Sequence, residues 1–260
     1  MDPVIPFLLS LPAAYLSTFL FKRLALLCGI MDVPDHRKIH RAPMPLLGGL
    51  AVYLAVILGV SFDPAVLRHI SGILAGATVI LIIGLVDDAR GLSAPVKLSG
   101  QLIAAAIMIY SGVRISFFPD TWAGYAGEVL LTLVWVAGIT NAVNYLDGID
   151  GLAAGSTAIS AVFFVIVSYI TDQPLTGMAA LILFAGCMGF LPHNFKRAGI
   201  FLGDAGSTFL GFMLAGIAIA GNWAEDNMLR LSIPVLILGV PIFDMTFTTV
   251  MRIREKKVGT

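Results

Sequence analysis

Four clusters of polar residues interrupt an otherwise apolar chain, and their residue types suit the chemistry of phosphates and divalent cations. In Gly84-Leu-Val-Asp87-Asp88-Ala-Arg90, two adjacent carboxylates close an apolar run. They repel one another unless a divalent cation or nearby Arg and Lys offsets the charge. One aspartate there could simply cap a helix; two ask for a ligand. In Asn141-Ala-Val-Asn144-Tyr-Leu-Asp147-Gly-Ile-Asp150-Gly151, a helix continued through the segment places residues 141, 144 and 147 on one face, with Asp150 in a Gly-flanked turn. A polar stripe entering an apolar span faces a cavity or a partner helix, not lipid.

The other two clusters carry cations. Asp35-His-Arg-Lys-Ile-His-Arg41 runs into Pro43, Pro45 and Gly48-Gly49, a stiffened basic loop with room for close backbone approach. Lys38, His40 and Arg41 suit phosphate oxygens, and they suit anionic lipid headgroups as well. His193-Asn194-Phe-Lys196-Arg197 precedes Phe201-Leu-Gly203-Asp204-Ala-Gly-Ser207. Asp204, at the start of the next apolar run, reads either as an N-cap or as another ligand converging on a phosphate-rich site. His36 and His69 read as solvated residues, while His40 and His193 stand between a structural role and a phosphate contact. Asp244, after Pro241, falls inside an apolar span and is a functional or helix-pairing candidate.

The elements that must position these residues are membrane helices. The 260-residue chain is 58% apolar and 12% charged, against about 25% charged for a globular domain, and its mean hydropathy is +0.94. Crossing the bilayer takes roughly 20 apolar residues per helix. Such windows fall near 4–29, 46–62, 70–86, 97–112, 126–142, 152–171, 177–192, 205–221 and 229–251. They are continuous rather than alternating, which excludes barrel strands. The expectation is an all-α, polytopic integral membrane helical bundle of about nine transmembrane helices. It forms one domain over 1–260, without an internal repeat, and its active-site loops lie near 30–46, 87–97, 141–152, 193–205 and 252–260. On the nine-span reading, Arg68, Arg114 and Arg230 fall on one side and the other Lys and Arg, of 16 in all, fall opposite. The positive-inside rule then puts the N-terminus outside and the C-terminus and every polar cluster in the cytoplasm of a multi-pass inner (plasma) membrane protein. Val4–Phe21, followed by Lys22-Arg23, reads as a retained first span.

Composition also narrows the partners. The formal net charge is zero and no basic stripe is interleaved with aromatics, so nucleic acid is not expected. Cys28 and Cys187 sit in apolar runs without a zinc-type spacing and read as free structural thiols.

Taken together, the clusters resemble the polyprenyl-phosphate hexosamine-1-phosphate transferases, also called glycosyltransferase family 4. The resemblance rests on Asp32–Gly49, Asp87–Lys97, Asn141–Gly155, His193–Ser207 and Pro241–Asp244 in that order. Within the family, Val33-Pro-Asp-His-Arg-Lys-Ile-His40 with the following Pro-Met-Pro and Gly-Gly is similar to the undecaprenyl-phosphate N-acetylglucosaminyl branch rather than the muramyl-pentapeptide branch. The resemblance implies that Asp87 and Asp88 are catalytic and handle the acceptor phosphate. It implies that Asp204, with Asp87, binds Mg2+, for which Mn2+ could substitute. Lys38, His40, Arg41, Asn144, Asp147, Asp150, Asn194 and Phe201 are the implied substrate-binding set, with Phe201 placed to stack on uracil. The implied partners are a UDP-sugar, a polyprenyl phosphate lipid and the membrane, with room for a homodimer. Family members carry a His-rich loop and a further span beyond the Pro241–Asp244 span, so a chain ending at Thr260 is expected to lack both and to transfer poorly.

The implied reaction moves N-acetylglucosamine-1-phosphate from a UDP-sugar to polyprenyl phosphate, releasing UMP, as a first membrane step of cell-envelope glycan synthesis. Its alternatives are the muramyl-pentapeptide reaction of the same family, a CDP-alcohol phosphotransferase and a membrane transporter. Asp147-Gly-Ile-Asp150-Gly151-Leu-Ala-Ala154 matches the opening of the CDP-alcohol signature, but Gly155 stands where that signature has Arg. A transporter would carry its carboxylates near the bilayer midplane on broken helices, whereas here most of them cluster at span ends.

Overall fold

The computed structural model describes residues 4–34, 42–221, 223 and 232–255, so Lys38, His40 and Arg41 lie outside the described residues. The architecture is a helical bundle: α1 (Val4–Cys28), α2 (Gly48–Ser61), α3 (Pro64–His69), α4 (Ser71–Arg90), α5 (Ala94–Tyr110), α6 (Trp122–Leu146), α7 (Leu152–Ile170), α8 (Pro174–Asn194), α9 (Gly203–Ala220), α10 (Ser232–Ile237) and α11 (Gly239–Arg254). A two-residue antiparallel ladder pairs β1 (Met31–Asp32) with β2 (Met44–Pro45), matching Met31 to Pro45 and Asp32 to Met44.

Among the described residues six helices, α1, α4, α6, α7, α8 and α9, are long and apolar enough to cross a membrane. The count of nine expected from hydropathy is not reproduced in that form. Helices α2 and α5 are apolar but shorter, and the window expected at 229–251 breaks at Leu238 into α10 and α11. Gly239 and Pro241 stand at that break and weaken helix continuity there. The segment expected as a plain loop after 61 folds into α3, because Asp63 accepts from the Ala65 and Val66 amides and Pro64 opens the helix.

Helix α9 is the axis of the bundle, packed by α4, α6, α2, α7 and α8. Small residues allow those approaches, since lipid offers no hydrophobic drive for helix association and close backbone packing must supply it. A Cβ on Gly49 would strike Gly206, one on Gly84 would strike Ala205, and one on Gly211 would strike Thr140. Phe209, Phe212, Leu210 and Met213 fill the remaining space around α9 and are fully buried.

The sequence also fixes which way the polar ends point. Helices α4, α6 and α8 run past their hydropathy windows, carrying Asp87-Asp88, Asn144 and His193-Asn194 into last turns. α5 and α9 begin at the same end of the bundle, with Lys97 and Asp204 in or near their first turns. The far end is tied separately: buried Glu128 accepts from Arg114 Nε and from the Phe117 and Phe118 amides.

Candidate active site

A cavity of about 1320 Å³ opens at that polar end, lined by β1, the ends of α4, α6 and α8, the starts of α5 and α9, and Arg252 of α11. Asp87, Asp88, Asn144, Asp147, Asp150, Asn194, Phe201 and Asp204 all line it, although up to 117 residues separate them.

The wall is built from carboxylates with fixed partners. Asp87, buried at the end of α4, accepts the Leu92 amide at 2.6 Å through Oδ1 and pairs with Lys97 Nζ through Oδ2. The same ammonium reaches Asp204 Oδ2 at 2.6 Å. Asp204 Oδ1 accepts from Asn144 Nδ2 at 2.8 Å, and Asn144 also donates to Ser207 Oγ at 2.8 Å. Two carboxylates from α4 and α9 therefore converge on one cation.

Asp88 does something different. Its Oδ1 accepts the Asp204 amide at 2.8 Å and its Oδ2 the Ala205 amide at 3.1 Å. Those are unpaired donors of the first turn of α9, so Asp88 caps that helix from α4 and complements the positive end of its dipole. The fit depends on Gly203, whose φ of +75° and nearest neighbours, Asp88 Oδ2 and the Leu46 carbonyl, leave no place for a Cβ.

The segment preceding α9 is held by backbone. The Phe201 amide donates to the Pro45 carbonyl at 2.8 Å, the Gly48 amide to the Phe201 carbonyl at 3.0 Å, and the Gly49 amide to the Leu202 carbonyl at 2.9 Å. Buried Asn194 closes the adjacent corner, accepting from the Gly151 amide and donating to the Ile200 carbonyl, both at 3.0 Å. Asp150 accepts the Ala198 amide at 2.9 Å. Asp147, in the turn after α6, has its carboxyl held well above the usual carboxylate range, first by burial and then by the charges of Asp204 and Asp88.

Two expected candidates fall elsewhere. His193 packs its ring against Tyr15 and Phe19 of α1, with Nε2 3.1 Å from the Tyr15 carbonyl, and serves as a helix-packing residue. Asn141, the first residue of the expected stripe, bonds to Gln101 beneath the cavity rather than lining it. Conversely, Lys97 and Arg252 line the cavity; both fall in expected active-site loops, 87–97 and 252–260, but neither is in the expected set of site residues. Arg252 lies 5.5 Å from the centre of the Tyr145 ring, a cation–π contact that holds the guanidinium at the rim. Lys97 carried a signal, a lone cation opening an apolar helix ten residues after an aspartate pair.

The described residues contain no group of three or more His, Cys, Asp or Glu side chains gathered for a metal. Magnesium does not need one, because it is commonly held by one or two carboxylates with water and substrate phosphates completing its shell. Asp87 and Asp204 would offer two such carboxylates, and in this structure Lys97 Nζ holds the point on which they converge.

The model of the family described as Glycosyl transferase family 4 matches residues 70–222, which include Asp87, Asp88, Asp147, Asp150 and Asp204. The chain is also 36% identical to a probable undecaprenyl-phosphate N-acetylglucosaminyl 1-phosphate transferase of Bacillus subtilis, over 98% of this chain and 73% of that protein. The chain belongs to glycosyl transferase family 4. This family 4 chain is further similar to decaprenyl-phosphate N-acetylglucosaminephosphotransferase of Mycobacterium leprae, at 35% identity over 95% of the chain and 72% of the relative. It shares 26% identity with undecaprenyl-phosphate alpha-N-acetylglucosaminyl 1-phosphate transferase of Escherichia coli, over 95% and 72%.

Proposed function

We propose that this family 4 chain transfers N-acetylglucosamine-1-phosphate from UDP-N-acetylglucosamine to a polyprenyl phosphate, with Mg2+ held by Asp87 and Asp204. The observation that carries the reading is the convergence of Asp87 and Asp204 on one cation position, Lys97 Nζ, in the wall of an open cavity at one end of an apolar bundle. Relatives named for polyprenyl phosphate and N-acetylglucosamine phosphate support the substrates.

The reaction joins two anions. An oxygen of the lipid phosphate attacks the sugar-bearing phosphorus of the nucleotide sugar, and the bond from that phosphorus to the bridging oxygen breaks. The bridging oxygen leaves with UMP, the anomeric bond stays intact, and the product is a lipid pyrophosphoryl sugar. The nucleophile is largely ionised near pH 7, since the second pKa of a phosphomonoester is about 6, so no general base is required. Mg2+ held by Asp87 and Asp204 would supply charge neutralisation for the two reacting anions. Lys97 holds the two carboxylates in register and adds positive charge beside the transferring group. Asp88 fixes the start of α9 and thereby Asp204. Phe201, in the segment before α9, offers a stacking face for uracil, and Arg252, beside the Tyr145 ring, meets phosphate.

The same reading places nine membrane passages in the chain, with α2, α5 and the broken α10–α11 pair added to the six long helices, and turns the cavity to the cytoplasm of the plasma membrane. A soluble nucleotide sugar reaches the cavity there, while the prenyl chain stays in the bilayer.

The test is UMP release by the purified chain in lipid nanodiscs, from UDP-N-acetylglucosamine with and without polyprenyl phosphate, with Mg2+ present or chelated. Release that needs both lipid phosphate and Mg2+ supports the reading. Nucleotide-sugar uptake into vesicles without UMP release would replace it with transport.

A further inference from the structure

Beneath the cavity, deeper in the bundle, α5 and α6 are joined by two amide side chains. Asn141 Nδ2 donates to Gln101 Oε1 at 2.7 Å, and Gln101 Nε2 donates back to Asn141 Oδ1 at 3.3 Å. Asn141 Nδ2 also reaches the Ala137 carbonyl of its own helix at 2.7 Å. Gln101 is buried, and both residues lie among apolar helices where an amide left without a partner is costly. Each side chain therefore enforces the place of the other.

The register of this pair matters. Gln101 stands one turn below Lys97 on α5, and Asn141 one turn below Asn144 on α6. Lys97 and Asn144 are the two side chains that hold the Asp204 carboxylate, one on each oxygen. A void of about 30 Å³ lies between the two layers, bordered by Asp87, Lys97, Gln101, Asn141, Asn144 and Thr208 among others. Ile80 and Ile83 share its wall with these polar groups, and it is large enough for a single water. The layers are thus close enough for a shift in the lower one to reach the upper one.

We propose that Gln101 and Asn141 are positioning residues for the transfer reaction: their amide clasp sets the offset of α5 against α6, and so the placement of Lys97 and Asn144 on Asp204. The inference rests on the transferase reading. If α5 slides or rotates, the root of Lys97 moves with it, and an ammonium that must reach carboxylates on both α4 and α9 is drawn away from one of them. Nothing in the clasp touches substrate. Its loss acts on the chemical step while the nucleotide-facing side of the cavity, built on Phe201, Asn194 and Asp150, keeps its own backbone ties.

The experiment compares the full chain in nanodiscs with Gln101→Leu, Asn141→Leu and the double leucine variant, and with the exchanged pair Gln101→Asn/Asn141→Gln. Both leucine variants should lose about 10-fold or more in kcat, an order set by misplacing a catalytic group by a fraction of a side chain. KM for UDP-N-acetylglucosamine should stay within about threefold, because ground-state binding is untouched. The double variant should be no slower than the slower single, since one interaction is removed in each case. The exchanged pair, which conserves both amides and their summed length, should recover more kcat than either Gln101→Asn or Asn141→Gln alone. Unchanged kcat with a lowered melting temperature would overturn the proposal and leave the pair a structural contact. So would multiplicative losses in the double variant, or a rise in KM at constant kcat. If the leucine variants do not accumulate in membranes, the singly altered and exchanged amide variants decide by the same criteria. Wild-type turnover in the same assay separates the two readings: an inactive wild type overturns the transferase reading and the clasp with it, whereas an active wild type with unaffected variants overturns the clasp alone.

Discussion

Lys97 on α5 and Asp204 on α9 are 107 residues apart in the chain and 2.6 Å apart at the cavity wall, with Asp87 sharing the same ammonium. That arrangement makes the lysine the hinge between the two carboxylates.

Replacing it tests the wall directly. Lys97→Met should lower kcat by about 100-fold or more while UMP binding is retained, because a charge acting on the transferring phosphate is worth a few kcal/mol in the transition state. Lys97→Arg should recover little, since a planar guanidinium does not replace a compact ammonium between two carboxylates. Steady-state UMP release with nucleotide binding by calorimetry reads both. Wild-type turnover in Lys97→Met would remove the residue from the site.

Asp87→Asn, Asp88→Asn and Asp204→Asn should each reduce turnover by at least about 100-fold in protein that still inserts. The three should part company in stability. Asp88→Asn turns an amide NH2 toward the α9 backbone donors and should lower the melting temperature by more than Asp87→Asn does. Equal melting shifts would contradict the capping role.

Gly203→Ala should abolish accumulation of folded protein, or leave it inactive with a strongly lowered melting temperature. The new methyl meets Asp88 and the Leu46 carbonyl, and the backbone there sits at a φ of +75°. The strain of a left-handed non-glycine residue alone is of order 1–2 kcal/mol, before any clash. Gly155→Ala, where nothing lies within 4 Å of the new methyl, is the control.

The pH dependence of stability follows from Asp147. Its carboxyl is raised by burial and by Asp204 and Asp88, so the folded state binds a proton over a range of pH in which the unfolded chain, with a pKa of about 3.9, has lost it. Its contribution is therefore most favourable below the unfolded pKa and is lost as pH rises toward the folded one. Asp147→Asn, a neutral isostere, should raise the melting temperature at neutral pH, and the gain should shrink as pH falls toward 4. A gain independent of pH would refute this.

For the orientation, single cysteines at Ser61 and Asp172 in a background lacking Cys28 and Cys187 should react with an impermeant thiol reagent from outside intact cells. One at Lys196 should react only after permeabilisation. The opposite labelling would turn the cavity away from a cytoplasmic nucleotide.

Hydropathy and the polar clusters were enough to determine an all-helical membrane bundle, the family, and most of the cavity lining. Apolar runs long enough to cross a bilayer and carboxylates confined to their ends admit few other arrangements. Asp87, Asn144, Asp150 and Asp204 were legible for that reason: a charge or amide at a span end is costly unless a site uses it. Tertiary structure alone decided what each does. Asp88 looks like Asp87 in sequence, yet it caps α9 by accepting an amide 116 positions later, because α4 and α9 cross where Gly84 and Ala205 allow contact. His193, adjacent to Asn194, turns to α1 instead of the cavity, since successive helical positions point about 100° apart. Lys97 and Arg252 fall in expected active-site loops, but only the fold set Lys97 between two carboxylates and Arg252 beside Tyr145. The count of passages needs more than hydropathy, which registers apolar length and not the break at Leu238, where Gly239 and Pro241 weaken the helix.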